Sequence, residues 1–314
     1  MKQVVILSGK GGTGKTTVTS MLAYEIWQDD KVHAPIFADA DVDASNLALI
    51  FSPKRIYPKY FSGGKVAVFN PTNCIGCHQC IQLCRFDAIS VLGNNPKNLE
   101  IDAISCEGCG LCVLACPSAS LSMENVANGE WFQSESRFGP LFHANLYPGQ
   151  ENSGKLVTQV RIAAQEFGED QQSDILMIDG PPGIGCPVIA AVTGVDLAII
   201  VTEPTLSGLH DLQRMIETVT HFKTKAAVIL NKSTLNPTIA GKIKKYCKTQ
   251  NLPIIGEIPF DQMLTDAVVN AKTIQEFSPL HPLVTTFHQI WLKGKSIIVE
   301  EPKKEKNNEN RNLS

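Results

Sequence analysis

Eight of the ten cysteines fall into two runs of identical spacing. Cys74, Cys77, Cys80 and Cys84 read Cys-x-x-Cys-x-x-Cys-x-x-x-Cys; Cys106, Cys109, Cys112 and Cys116 repeat the pattern 32 residues later, with Pro117 following. The segment around them, 62–124, shows no long helical pattern and repeats internally. Arg-Phe-Asp-Ala-Ile-Ser follows Cys84, and Pro-Ser-Ala-Ser-Leu-Ser follows Cys116. Each half reads as a cysteine loop, a short helix bearing the fourth cysteine, and a strand. The segment is expected to be a small inserted module with pseudo-twofold symmetry.

Composition narrows what those cysteines do. A chain of 314 residues is long for one domain and short for three. The net charge of −3 offers no nucleic-acid surface. No apolar run approaches the roughly 18 residues a membrane span needs. The N-terminal MKQVVILSGKGG has too short an apolar core for a signal peptide, so a cytoplasmic location is expected. Disulfides are rare in a reducing cytosol, and regular cysteine spacing there points to metal or redox chemistry.

Outside the insert, short non-alternating apolar runs recur at 3–8, 34–38, 175–178, 197–201, 226–230 and 254–255. Strands buried on both faces of a parallel sheet read this way. Helical patterns lie between them, at 15–27, 156–167, 206–222 and 237–249, with Ser153 a candidate N-cap. The alternation predicts an α/β fold with an open, mostly parallel sheet. The sheet domain is then split into 1–61 and 125–299 around the insert at 62–124. Residues 129–154, rich in aromatics, Gly and Asn, read as an irregular loop. The Lys/Glu/Asn-rich stretch 300–314 reads as a disordered tail.

Gly9-Lys10-Gly11-Gly12-Thr13-Gly14-Lys15-Thr16 matches Gly-x4-Gly-Lys-Thr, directly after a strand and opening a helix. Glycines let backbone N–H groups turn toward phosphate oxygens, and the helix N-terminus adds partial positive charge. Lys15 is expected at the β- and γ-phosphates of ATP, Thr16 on Mg²⁺, and Thr17 beside them.

The KGGTGKT string resembles the deviant Walker A loop of the MinD, ParA and nitrogenase iron-protein superfamily of P-loop NTPases. The resemblance implies an ATP-dependent homodimer in which Lys10 reaches the partner's nucleotide. Asp39-Ala-Asp41-Val-Asp43-Ala-Ser-Asn46-Leu47 resembles that family's switch I. It implies that Asp41 positions the attacking water and that Asp39 assists the metal site; Asp43 reads as a turn residue. The strand ending Asp179-Gly-Pro-Pro-Gly183 resembles Walker B and switch II, with Asp179 holding Mg²⁺ through water and the Gly183 N–H sensing γ-phosphate. Its double proline resembles the Mrp-type branch. Asn231 falls where the family reads adenine, near Pro259 and Asp261.

The cysteine runs resemble bacterial ferredoxin, which implies two 4Fe–4S clusters. In that arrangement the fourth cysteine of each run crosses over. The resemblance therefore implies Cys74, Cys77, Cys80 and Cys116 on one cluster, and Cys106, Cys109, Cys112 and Cys84 on the other. Zinc is the rival occupant, but four cysteines within eleven residues, twice over, are poor geometry for two tetrahedral sites. Arg85 stands where the pattern has proline. Cys186, just past switch II, reads as a small buried thiol, Cys247 as inert, and His78 as a surface residue.

Together these features imply an ATPase coupling a nucleotide-driven dimer to electron transfer, with an unidentified redox or metallocofactor partner protein. The insert lies between the two switch segments in sequence, so both its attachments are expected near elements that respond to γ-phosphate. The alternative is an Mrp-type ATPase of iron–sulfur assembly. A MinD-like positioning role fits less well, since the tail lacks an apolar face for a membrane.

Overall fold

The computed structural model describes residues 1–299; the expected tail at 300–314 lies outside the described residues. Strand β1 (Lys2–Ser8) runs through the glycine loop into α1 (Lys15–Gln28), followed by β2 (Ile36–Asp39), α2 (Leu47–Phe51) and β3 (Arg55–Phe61). An excursion then contributes β4 (Gly64–Phe69), α3 (Gln79–Leu83), β5 (Ile89–Val91), β6 (Leu99–Ile101), α4 (Leu111–Leu114) and β7 (Leu121–Val126). The chain returns through β8 (Gly129–Ser136) and β9 (Gly139–Leu146) to α5 (Ser153–Asp170), β10 (Ile175–Pro182) and α6 (Cys186–Val192). Alternating elements complete it: β11 (Leu197–Thr202), α7 (Leu206–His221), β12 (Lys225–Leu230), α8 (Pro237–Thr249), β13 (Ile254–Glu257), α9 (Gln262–Val269), α10 (Ile274–Phe277) and α11 (Pro282–Val299).

Nine strands form one sheet in the order β13-β12-β11-β1-β10-β2-β9-β8-β3. From β13 to β9 every pairing is parallel. Side chains alternate between two cores. Val5 and Leu7 face Leu156, Val160, Val188, Leu212 and Ile243 of α5 to α8. Val4 and Ile6 face Val18, Leu22 and Ile26 of α1 and Phe287 and Ile290 of α11. Both faces are therefore dry, which is why β1 shows an unbroken apolar run. Each such aliphatic side chain stabilises the fold by about 1.5–3 kcal/mol when fully buried.

The stretch 129–154, read as an irregular loop, is instead mostly the hairpin β8–β9. β8 pairs antiparallel with β9 on one side and β3 on the other. These edge strands are half-buried, so their pattern is diluted by exposed polar positions. Pro58 sits in β3, the outermost strand, where proline is tolerated. The N-cap of α5 is Asn152, with φ 77°, one residue before the expected Ser153.

The excursion between β3 and β8 builds two separate two-stranded sheets, β4–β7 and β5–β6, around a small core of Ala67, Ile89, Leu99 and Leu121 with Cys80 and Cys112. β7 runs to Val126, past the 124 boundary read from the sequence. The excursion leaves and re-enters at the sheet edge. Four strand spacings separate β3 from β10, about 19 Å. At its linkers the insert nonetheless comes close to the segment after β10: Lys155 donates to the Gly63 carbonyl at 2.8 Å, and the adjacent Gly154 packs on Cys186, just after the Gly183 turn. A close crossing ties the insert's two linkers: the buried Asn128 side chain accepts from the Gly63 and Gly64 N–H groups at 3.0 and 2.9 Å, and donates to Gln150 at 2.6 Å.

Candidate functional site

The carboxyl ends of β1, β2 and β10 bring the glycine loop, Asp39 and Asp179 together. Gly14 caps α1 in the left-handed region, φ 90°, a conformation that penalises any side chain. Lys15 is 6% exposed, and its ammonium lies 3.0 Å from Asp179 and 3.4 Å from Asp41. The neighbouring Thr13 hydroxyl is buried without a partner. Gly11 and Gly12 border open space. A buried lysine and a buried, unpartnered hydroxyl beside an open glycine loop fit a polyphosphate. Thr16 donates to Asp179 at 2.7 Å, and Thr19 donates to its other oxygen at 2.8 Å, so α1 and β10 present the pair expected to face Mg²⁺. Thr19 went unnoticed in the sequence because its role depends on which face of α1 meets β10.

Burial disfavours the Lys15 ammonium, but Asp179, Asp41 and Asp39 outweigh it and hold its pKa above the ordinary value. Asp39 is fully buried; desolvation, with Asp179 adding, raises it to about 7 despite Lys15 and hydrogen bonds from Leu47 and Ser45. Its oxygens accept from Ser45 at 2.8 Å, the Leu47 N–H at 2.9 Å and the Asp41 N–H at 3.1 Å. Asp39 thus pins the turn that carries Asp41. Burial also raises Asp41, with Lys15 opposing. Gly183 takes φ 91°, and its N–H donates to the Ser8 carbonyl at 2.9 Å.

Asn231 donates to the Thr13 carbonyl at 2.8 Å, holding the loop, and lines a cavity of about 70 Å³ with Gly14, Thr17, Pro259, Phe260 and Asp261. That cavity adjoins the loop where a base would follow its phosphates. Lys10 lies within its own subunit, 2.9 Å from Glu203 and 3.0 Å from Ser207. Glu203 and Lys232 carry no recognisable motif; only the fold juxtaposes them with the loop.

In the insert the cysteines line two small cavities. Cys74, Cys77, Cys80 and Cys116 line one; Cys84, Cys106, Cys109 and Cys112 line the other. Each cavity thus takes three cysteines from one run and the fourth cysteine of the other. Among the described residues no three His, Cys, Asp or Glu side chains gather into a single-ion site. A cubane instead takes one thiolate on each of four irons, and four thiols around a cavity fit that donor set. The Cys116 sulfur also accepts from the Ser120 N–H at 3.3 Å. His78 contacts the Pro96 carbonyl at 2.8 Å. Cys247 is buried, and desolvation pushes its thiol up to about 11, so it is unreactive. Cys186, expected to be buried, is exposed at the first turn of α6.

The parallel sheet with this loop defines a P-loop nucleotide-binding protein. The chain belongs to the CobQ/CobB/MinD/ParA nucleotide-binding family (CbiA), whose model matches residues 4–274. It is 33% identical over 234 residues to an uncharacterized protein of Methanocaldococcus jannaschii, covering 74% of this chain and 79% of that protein. It is 23% identical to a cytosolic Fe-S cluster assembly factor NUBP1 homolog of Caenorhabditis briggsae, covering 94% and 80%. Among solved structures, the cell division ATPase MinD of Pyrococcus furiosus superposes with a TM-score of 0.57 at 17% identity, covering 94% and 99%. MinD of Pyrococcus horikoshii in complex with Mg-ADP gives 0.57 at 16%, covering 96% and 99%. These structural likenesses concern the fold. No helix among the described residues is long and apolar enough to cross a membrane.

Proposed function

We propose that this protein is an ATP-hydrolysing switch whose nucleotide state governs two 4Fe–4S clusters in the insert, exchanging electrons with a partner protein. When bound, the clusters supply one-electron chemistry, and Mg²⁺ neutralises phosphate charge. Lys15 holds the β- and γ-phosphates, Thr16 and Asp179 face the metal, and Asp41 orients water for in-line attack. Lys10 acts across a homodimer, which requires it to leave Glu203. Gly183 is positioned to exchange the Ser8 carbonyl for a γ-phosphate oxygen, shifting the segment that follows.

One observation carries the coupling: α5 bridges that segment and the insert. At its first turn Gly154 packs on Cys186, where a β-carbon would stand 3.4 Å from the Cys186 carbonyl. Arg161 donates to the Ala190 carbonyl and, at 3.0 Å, to Thr193 at the end of α6, so the two helices move together. Lys155 of α5 donates to the Gly63 carbonyl at 2.8 Å, in the linker entering the insert. A cleft there is lined by Lys65, Cys106 and Glu107 from the insert and by Asn128, Asn152 and Lys155 from the body. A shift after β10 thereby reaches the cysteine loop without a direct contact. The test is ATPase activity under anaerobic conditions with clusters oxidised and then reduced. A rate that depends on cluster state supports the coupling; equal rates oppose it.

The likeness to an Fe-S cluster assembly factor favours a second reading, in which the ATPase delivers iron–sulfur units. Transfer of iron and sulfide to an apo-acceptor protein would establish it; clusters retained by the eight insert cysteines would argue for the first.

A further inference from the structure

Glu203 follows β11 and sits beside the glycine loop at the carboxyl edge of the sheet. Its carboxylate, 12% exposed, is divided between two lysines: one oxygen lies 2.9 Å from Lys10 and the other 3.0 Å from Lys232. Lys232 in turn donates to the Gly12 carbonyl at 2.9 Å. Ser207, in the first turn of α7, is the second partner of Lys10, at 3.0 Å, and Thr205 lies 3.2 Å from that hydroxyl. The Ser8 hydroxyl fixes the same stretch by donating to the Lys10 carbonyl at 3.0 Å. Packing leaves little slack: a side chain at Gly9 would collide with Asp211 of α7, and one at Gly208 with the Glu203 carbonyl. The lysine required by a partner's nucleotide is therefore tied, by charge and by a hydroxyl, to its own subunit.

We propose that Glu203 is a positioning residue that restrains Lys10 in the free subunit, so that assembly of the nucleotide-bound dimer must break the Lys10–Glu203 pair. This rests on the reading that Lys10 acts in trans. When Lys10 leaves, Glu203 does not become an unpaired buried charge, because Lys232 remains on its other oxygen. Lys232 donates to the Gly12 carbonyl directly, a contact that remains during the exchange. The restraint sets the concentration at which subunits pair, and leaves the chemistry within a formed dimer unaltered. A competent state that is only fractionally populated weakens apparent association by that fraction.

The experiment is steady-state ATPase activity of the full chain as a function of protein concentration, with dimer fraction measured by sedimentation in a non-hydrolysable ATP analogue. Glu203→Gln is expected to lower the half-maximal protein concentration about fivefold, with kcat at saturating protein unchanged. Ser207→Ala, a milder change, is expected to shift it in the same direction by less. In a Lys10→Ala background Glu203→Gln should have no effect on sedimentation. An unchanged or raised half-maximal concentration in both single variants would overturn the proposal. If Lys10→Ala alone keeps wild-type activity and its concentration dependence, the trans role itself fails, a result separable from failure of the restraint.

Discussion

The Lys155 ammonium donates to the Gly63 carbonyl at 2.8 Å and so ties α5 to the linker by which the chain enters its cysteine-bearing insert. The insert hangs from the sheet edge, and the first turn of α5 joins its linker to the segment after β10. The functional reading depends on that strut and on the clasp of Asn128 beside it.

Asn128 accepts from two linker N–H groups while buried. Asn128→Ala leaves both donors without a partner, at a cost of about 2 kcal/mol. Limited proteolysis should cut near residues 62–64 and 126–128 faster than in the wild type, while ATP binding stays intact. Equal cleavage rates would show that the clasp is not what orders the linkers.

Lys15 is enclosed by Asp179, Asp41 and Asp39. Lys15→Ala should abolish nucleotide binding, and it leaves the carboxylates uncompensated, a loss of about 3 kcal/mol. A urea midpoint unchanged from wild type would contradict the ion-pair geometry. Asp41→Asn should lower ATP hydrolysis about 100-fold while ATP still binds.

Asp39 titrates at about 7 in the fold, above its ordinary 3.8. Between those values the folded protein holds a proton that the unfolded chain has released, so stability falls as pH rises through that window. The slope is at most about 1.4 kcal/mol per pH unit. Asp39→Asn should flatten the urea midpoint between pH 5 and 7. A slope that persists in the variant would assign the proton elsewhere.

The crossing of the fourth cysteines has a direct readout. Cys116→Ala should remove the cluster of Cys74, Cys77 and Cys80 and spare the other, halving iron and sulfide and deleting one of two reduced-state EPR signals. Loss of the signal assigned to Cys106, Cys109 and Cys112 would reverse the assignment.

The parallel core was legible because β1, β10, β11 and β12 are buried on both faces and read as plain aliphatic runs, and because the glycine loop has a fixed place after a strand. The hairpin β8–β9 was not, since Gly129, Glu130 and Gly139 break a half-buried alternation whose meaning comes from pairing with β3. Asn128, Glu203 and Lys232 were invisible for a different reason. Each is an ordinary polar residue whose role arises from contacts across 60 or more positions, or from elements joined only by the sheet order. Cys186 was placed in a core because free thiols are commonly buried, whereas the turn after β10 leaves it at the surface.

The central claim is that bound nucleotide is felt at the insert. Its most direct measurement is the anaerobic reoxidation rate of the reduced clusters by a small soluble oxidant, with and without a non-hydrolysable ATP analogue, in wild type and in Asn128→Ala. A rate altered by the analogue in the wild type, and insensitive to it once the clasp is removed, is the result that coupling through α5 requires. Identical wild-type rates in both conditions would contradict it.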